Sequence, residues 1–273
     1  SYCTAAITIV PFVHQIPMPL KMLKRTSPAD EPRQRARVVL LNASYAPSLV
    51  NFRGKFIEAM IRAGHKVHVS APDIEPDVER YLREIGAHVH QVTLARAGLN
   101  LAGDLRYAKQ IRGLIRRIGA DLVISYTIKP NIWASLAARS VRVPSASMVT
   151  GLGYAFIEGG GWKRRLVRAA SRLLYRAATA CNHIVIFQNP DDRDDFVAAA
   201  CLGDVRKARL VNGSGVDKQW YSPASLPTGA VFLMISRFLI NKGCREYAGA
   251  ALSLMSRRND CRFLLAGYAE EGP

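Results

Sequence analysis

Short apolar runs alternate with amphipathic stretches from residue 37 to residue 211 of this chain. The apolar runs are typical of buried strands, and the stretches between them have the hydrophobic spacing of helices. This alternation predicts a mostly parallel sheet that helices cover on both faces. Sheets of this kind bind ligands at the carboxyl ends of their strands, so we expect a functional site in the loops that follow the strands.

The composition changes on both sides of this alternating region. Residues 1–36 contain several prolines and end in a charged stretch, which predicts a flexible N-terminal extension. Residues 212–229 are rich in Gly, Pro and Ser, which predicts an interdomain linker. Residues 230–273 begin a second strand–helix–strand unit that is too small to bury a core of its own. The predicted fold is therefore α/β, with one complete Rossmann-like domain at 37–211 followed by the start of another.

Charge and cysteine content restrict the classes of partner. The chain has 38 Lys and Arg against 21 Asp and Glu, a net charge of +17, which favours phosphorylated ligands, acidic lipids or nucleic acid. Its five cysteines form no C-x-x-C pair, so neither a disulfide framework nor a zinc cluster is predicted. The histidines lack metal-ligand spacing, and we expect no bound metal. No apolar run approaches the roughly 18–20 residues that cross a bilayer.

Two basic residues near the end of the chain lie between a predicted strand and a predicted helix. Arg237 provides a planar fork of donors and Lys242 a mobile point charge, a pairing suited to phosphate oxygens. The helix N-terminus that follows also attracts anions, and Gly243 lets the backbone approach a ligand closely. These residues predict a phosphate-binding loop, and a solvated basic loop is the alternative interpretation.

The loop after the first predicted strand leads into a predicted helix at Leu49–Arg62. Asn51 and Arg53 are placed in the first turns of this helix, where they can hydrogen-bond a ligand that enters from the strand ends. Helix capping by Asn51 and a surface position for Arg53 are the alternative interpretation.

Two later loops also carry candidate binding groups. Lys129 is predicted near the N-terminus of a helix at Ile132–Arg139, where a cation is unfavourable unless an anion joins it. Asn131 can cap that helix. Gly151 and Gly153 follow the fifth predicted strand and would expose backbone N–H groups, as phosphate-binding loops do. An ordinary turn is the alternative interpretation of the two glycines.

A predicted helix that begins at Trp162 carries a basic stripe, because arginines recur in it every four residues. A basic amphipathic helix with a flanking tryptophan suits an anionic membrane surface. The solvated face of a helix that packs on the sheet is the alternative interpretation. The residues assigned to membrane contact are Lys163, Arg164, Arg168, Arg172 and Arg176.

Taken together, these loops resemble glycosyltransferase family 4, whose members have the GT-B fold. Within that family they are similar to bacterial enzymes that extend polyprenyl-diphosphate-linked sugars. The matching segments occur in family order from about residue 37 to the end of the chain. They are residues 51–53, 63–67, 126–132, 150–156, 187–189, 212–217 and 236–243.

The resemblance implies transfer of a sugar, with retention, from a UDP-linked donor to a polyprenyl-diphosphate-linked saccharide in glycan assembly. It assigns Arg237 and Lys242 to the donor diphosphate, and it implies no cofactor beyond the nucleotide sugar. It also implies a peripheral position on the cytoplasmic face of the inner membrane. The residues expected to line the acceptor side of the cleft are Asn51, Arg53, Lys129, Asn131, Gly151, Gly153 and Tyr154.

One family feature is missing from this sequence. The family carries two glutamates eight positions apart that contact the donor sugar and ribose, and no two glutamates here have that spacing. The resemblance therefore implies a C-terminally truncated chain with no identifiable catalytic pair and little or no transferase activity.

Two other classes of function remain open from the sequence. One is a nucleotide-sugar 2-epimerase of GT-B fold, although its acidic and histidine groups have no place in these loops. The other is a non-enzymatic basic protein that binds membranes or nucleic acid. No nucleic-acid partner is expected, because the basic residues are not interleaved with aromatic platforms.

Overall fold

A computed structural model of the chain describes residues 8–11, 35–95, 98, 100–152, 161–218, 221, 223–239 and 242–267. These residues form two compact units. The larger unit is Glu31–Asp217, and the smaller unit combines Ser1–Asp30 with Lys218–Pro273.

The described residues contain ten strands and eight α-helices. The strands are β1 Thr8–Pro11, β2 Val38–Asn42, β3 Lys66–Ala71, β4 His88–Gln91, β5 Leu122–Tyr126, β6 Ser145–Val149, β7 Ile184–Phe187, β8 Ala208–Leu210, β9 Ala230–Ile235 and β10 Cys261–Gly267. The helices are α1 Pro47–Asn51, α2 Gly54–Arg62, α3 Pro76–Glu84, α4 Leu101–Ile118, α5 Ile128–Ser140, α6 Trp162–Cys181, α7 Pro190–Ala198 and α8 Cys244–Met255.

The larger unit is built on one seven-stranded sheet with the order β4-β3-β2-β5-β6-β7-β8. All of its strand pairs are parallel. The chain starts in the middle of this sheet at β2, builds outward to β4, and then crosses back to β5. This arrangement confirms the predicted parallel α/β sheet, and it places the reversal of strand order between β2 and β5.

Helices cover both faces of this sheet because its strands are apolar on both sides. Leu40 of β2 belongs to one buried cluster with residues of α4 and α5, whereas its neighbours Val39 and Leu41 belong to a second cluster with residues of α2. Successive strand residues point to opposite faces, so each strand contributes to both cores. Full burial of one such side chain contributes about 1.5–3 kcal/mol, and these contacts hold the strand ends in fixed positions.

The predicted helix at Leu49–Arg62 is two helices, α1 and α2, separated at Phe52 and Arg53. Arg53 is the N-cap residue of α2 and has non-helical backbone angles, with φ −122° and ψ −7°. The apolar periodicity continues through the break, so it does not reveal the change of direction. The break turns the Arg53 side chain toward the sheet, where it is buried.

Helix α5 begins at Ile128, four residues earlier than predicted. Pro130 and Asn131 therefore lie in the first turn of the helix, where proline is tolerated because the N–H groups of that turn have no intrahelical partner. Thr127, not Asn131, is the residue that precedes the helix.

The smaller unit is a three-stranded parallel sheet with the order β1-β10-β9 and one helix, α8. Thr8–Pro11 pairs with β10, so the structure differs there from the predicted extension at residues 1–36. The boundary between the two units falls between Asp217 and Lys218, inside the predicted linker. The small core around Phe263 leaves Leu233 and Ile235 of β9 exposed.

Candidate functional site

The loops after β2 and β5 meet at the point where the strand order reverses, which is where open parallel sheets bind ligands. Thr127, after β5, donates a hydrogen bond from Oγ1 to Ser44 Oγ in the loop after β2, at 2.8 Å. Below this bond, the buried Asn42 side chain bridges three strands: it accepts from Ser70 Oγ at 2.7 Å and donates to Ser125 Oγ at 3.3 Å. The two loops are thus held on a rigid polar base.

Thr127 has a strained backbone, with φ 71° and ψ 160°. Residues other than glycine rarely adopt a positive φ, and such strain costs on the order of 1–3 kcal/mol. Strained backbone of this kind clusters at functional sites, where surrounding bonds maintain it. The strain at Thr127 therefore supports a functional role for the end of β5.

Arg53 lies at the same edge of the sheet, with only 5% of its surface exposed. Its guanidinium carbon lies 5.0 Å from the centroid of the Tyr126 ring, and Nη1 donates to Ser214 Oγ at 2.7 Å. Tyr126 in turn shares a hydrogen bond with Ser48, at 2.9 Å between the two hydroxyl oxygens. Burial lowers the pKa of Arg53 and raises the pKa of Tyr126 to about 12. The surface position that was the alternative for Arg53 is therefore wrong.

Lys129 forms a largely buried ion pair with Asp104 of α4, at 2.9 Å between Nζ and Oδ1. The two side chains are 12% and 7% exposed. The anion expected near Lys129 is thus present within the chain, and it satisfies the cation at the start of α5. Whether Lys129 also contacts an acceptor stays a prediction.

The other predicted acceptor-side residues are dispersed. Asn51 is the exposed last residue of α1. Asn131 is buried and donates from Nδ2 to the Met148 carbonyl at 3.0 Å, so it ties α5 to β6 and does not cap the helix. Gly151 follows β6 with φ 146°, a conformation that favours glycine. Gly153 and Tyr154 lie outside the described residues.

The predicted membrane-contacting residues lie on α6, a helix without acidic residues. Arg176 donates from Nη1 to the carbonyl of Ala200 at 3.0 Å, so it anchors α6 to the end of α7. Arg168 and Arg172 are partly exposed, and the side chains of Lys163 and Arg164 are outside the described residues. Trp162, Leu166 and Leu173 are strongly exposed on the same helix.

Arg237 and Lys242 are exposed in the loop that follows β9 of the smaller unit. Gly243 directly precedes α8 in a left-handed conformation, with φ 79°, which favours glycine, and its close approach to a ligand stays a prediction. The loop is attached to β10 by a hydrogen bond from Ser236 N to the Ala266 carbonyl, at 3.0 Å. Both cations therefore stand beside the N-terminus of a helix.

Several residues of these arrangements received no role from the sequence, among them Asp104, Ser214, and Gln188, which donates from Nε2 to Ser214 Oγ at 3.3 Å. Gln188 and Ser214 lie in segments that carry the family resemblance, and that position was the only available signal for them. Asp104 stands 25 residues before its partner Lys129, and no local pattern connects the two. Within the described parts of the chain, no group of three or more His, Cys, Asp or Glu residues is arranged to hold a metal ion.

A family match over the larger unit shows to which family the chain belongs. A family model described as glycosyl transferase 4-like domain matches residues 50–212, more than half of the 273 residues. The chain therefore belongs to this family, as the loop sequences predicted.

One relative of the chain is a bacterial enzyme. Over 241 residues the chain is 26% identical to the N,N'-diacetylbacillosaminyl-diphospho-undecaprenol alpha-1,3-N-acetylgalactosaminyltransferase of Campylobacter jejuni. The match covers 83% of this chain and 62% of that enzyme, so the chain spans less than two thirds of the relative's length.

Solved structures share the fold at low sequence identity. The Anabaena protein HepE, in complex with UDP and glucose, has a TM-score of 0.58 and 15% identity, covering 86% of this chain and 62% of HepE. A Rickettsia africae glycosyltransferase has a TM-score of 0.57 and 12% identity, with coverages of 86% and 69%. The UDP-GlcNAc 2-epimerase of Neisseria meningitidis, bound to UDP-GlcNAc, has a TM-score of 0.55 and 11% identity, with coverages of 86% and 72%. The predicted GT-B fold class is thereby confirmed.

Proposed function

We propose that this chain is part of a retaining glycosyltransferase that transfers a sugar from a UDP-linked donor to a polyprenyl-diphosphate-linked saccharide in glycan assembly. The observation that carries the proposal is the family match over residues 50–212, together with the Campylobacter relative named for transfer to a diphospho-undecaprenol-linked sugar. The epimerase neighbour shares the fold alone and supports no separate function.

In the proposed reaction, the larger unit receives the acceptor and the smaller unit holds the donor diphosphate. Negative charge grows on the diphosphate as the glycosidic bond breaks, and fixed cations stabilise that charge. Arg237 and Lys242 are the proposed cations, because they are exposed beside the N-terminus of α8. Among the proposed acceptor residues, Arg53 packs on Tyr126 at the end of β5, and Gly151 follows β6.

The donor assignment predicts that UDP binds to this chain through the loop after β9. We expect replacement of Arg237 and Lys242 by alanine to weaken UDP binding at least tenfold, because each charge-assisted hydrogen bond is worth about 1.5–3 kcal/mol. Isothermal calorimetry measures the change, and Arg245→Ala on the exposed surface of α8 is the matched control. Equal UDP affinity in the unchanged chain, the double alanine variant and Arg245→Ala would contradict the assignment of this loop to the donor.

Transfer itself is tested with a radiolabelled UDP-sugar and a polyprenyl-diphosphate-linked saccharide. We propose that the 273-residue chain shows little turnover, because the described part of its donor unit is a three-stranded sheet whose edge strand β9 exposes apolar side chains. Turnover comparable to that of a full-length relative would contradict the expected inactivity and support the proposed transferase activity. Absence of both UDP binding and sugar transfer would contradict the proposed function.

A peripheral membrane position is the other part of the proposed function. Trp162, Leu166 and Leu173 are spaced at four and seven residues, so they share one face of α6, and they are 71%, 64% and 68% exposed. Arginines flank this face, and the helix carries no acidic residue. An apolar ridge flanked by cations fits the headgroup region of an anionic bilayer. Among the described residues, no helix has the length and apolar content needed to cross a membrane.

Replacing Leu166 and Leu173 together with serine is expected to weaken binding to vesicles of mixed neutral and anionic lipid at least tenfold, because each buried leucine contributes about 1.5–3 kcal/mol. Leu226→Ser is the control, because Leu226 is also strongly exposed but lies outside α6. Co-sedimentation measures the effect, and binding is expected to fall with added salt. Equal losses in both variants, or binding to single-stranded nucleic acid in place of vesicles, would contradict the membrane proposal.

A further inference from the structure

Two cations of the larger unit stand at helix N-termini, where positive charge is unfavourable. Lys129 lies in the first turn of α5, and Arg53 is the N-cap residue of α2. For Lys129 the chain supplies the balancing anion, because Asp104 lies 2.9 Å away. The surroundings of Arg53 are different.

Within the described residues, no carboxylate forms an ion pair with Arg53. The groups around its guanidinium are the Tyr126 ring, the Phe52 carbonyl at 3.2 Å and the Ser214 hydroxyl at 2.7 Å. Its Nε is buried and has no hydrogen-bond partner among the described residues. A buried cation with an unused donor and no counter-charge is unfavourable unless a further group completes it.

The position of the Ser214 hydroxyl indicates where a group that completes the Arg53 guanidinium would bind. Its oxygen accepts from Arg53 Nη1 at 2.7 Å and from Gln188 Nε2 at 3.3 Å, so a cation and an amide from separate elements converge on one oxygen. Ser214 itself is exposed, between Gly213 at φ 69° and Gly215 at φ 67°. Both glycines adopt left-handed conformations that other residues rarely take, so a Gly-Ser-Gly turn presents the hydroxyl to the two donors.

We propose that Arg53 and Gln188 form a binding site for a phosphate or diphosphate group, one oxygen of which replaces the Ser214 hydroxyl when the turn at residues 213–215 moves aside. The N-terminus of α2 adds favourable potential for the anion, because its first backbone N–H groups are unpaired in the helix. The choice of diphosphate as the ligand class rests on the proposed function, whereas the anion site rests on the contacts of Arg53 and Gln188.

The test uses the 273-residue chain with Arg237 and Lys242 both replaced by alanine, so that the proposed donor loop does not contribute. Calorimetry with inorganic pyrophosphate is the first measurement. In this background Arg53→Met is expected to weaken pyrophosphate binding at least tenfold, and Ser214→Ala to strengthen it about threefold to tenfold because the internal competitor is gone. Arg62→Met, an exposed arginine of α2, is the control and is expected to leave binding unchanged.

Gln188→Leu keeps Arg53 in place and is expected to weaken binding about threefold, which preserves the test if Arg53→Met does not fold. Farnesyl diphosphate and UDP then distinguish the source of the anion: tighter binding of the first identifies a prenyl-diphosphate acceptor, and tighter binding of the second a nucleotide. Absence of pyrophosphate binding, or binding that neither Gln188→Leu nor Ser214→Ala changes, overturns the anion site. UDP binding that is unchanged when Arg237 and Lys242 are replaced would instead count against the proposed function and leave the anion site standing.

Discussion

Replacing Lys129 with methionine is expected to lower the free energy of unfolding of the larger unit by about 3–5 kcal/mol, the usual cost of leaving one buried charge without its partner. The ion pair with Asp104 is 2.9 Å long, and its side chains are 12% and 7% exposed, so water cannot replace the lost ammonium. Urea denaturation followed by circular dichroism measures the change.

The double variant Lys129→Met with Asp104→Leu is expected to recover most of this loss, because two apolar side chains leave no uncompensated charge. Arg83→Met is the surface control: Arg83 pairs with Glu79 at 2.6 Å on exposed α3, and such pairs contribute about 0–1 kcal/mol. A loss below about 1 kcal/mol for Lys129→Met, comparable to that of the control, would show that Lys129 is not needed by the fold and is available to a ligand.

The second large effect is expected at Gly267, the last residue of β10. A Cβ atom there would lie 1.8 Å from the Ser236 carbonyl oxygen and 2.9 Å from Phe238 Cε1. The close approach follows from the hydrogen bond between Ser236 N and the Ala266 carbonyl, which draws the loop after β9 onto β10. Gly267→Ala must therefore displace the backbone next to Arg237.

We expect Gly267→Ala to destabilise the smaller unit by about 3 kcal/mol or more, at the upper end of the costs measured for overpacking. Hydrogen exchange of peptides within residues 230–267 measures the loss of protection, and calorimetry measures an accompanying loss of UDP binding.

Gly249→Ala is the matched control for this glycine. Gly249 lies within α8, and a Cβ atom added there would meet nothing within 4 Å, so alanine is expected to stabilise the helix by about 0.5–1 kcal/mol. Unchanged protection in Gly267→Ala would mean that the loop after β9 moves without cost, and the rigid placement proposed for Arg237 would then be wrong.

Much of the larger unit was predictable because its elements follow local patterns. Strands alternate with helices in one parallel sheet, as predicted, since apolar periodicity reports directly which face of an element is buried. The loop at Arg237 and Lys242 was found in the same way, from basic residues placed between a strand and a helix.

Local patterns failed where the backbone changes direction without a change in hydrophobicity. The apolar spacing of Leu49–Arg62 continues across the break at Arg53, and the first turn of α5 contains a proline that suggests a later start. In both places tertiary contacts decide the boundary: Arg53 packs on Tyr126, and Thr127 bonds to Ser44.

The sequence by itself determined the α/β class, the parallel sheet and the presence of cations near helix N-termini. Only the tertiary structure decided which groups those cations contact. Lys129 pairs with Asp104 across 25 residues of sequence, whereas Arg53 donates to the Ser214 hydroxyl across 161. Periodicity records burial along one element, but the pairing of charges depends on which elements the sheet order brings together, and that order is set by packing between distant segments.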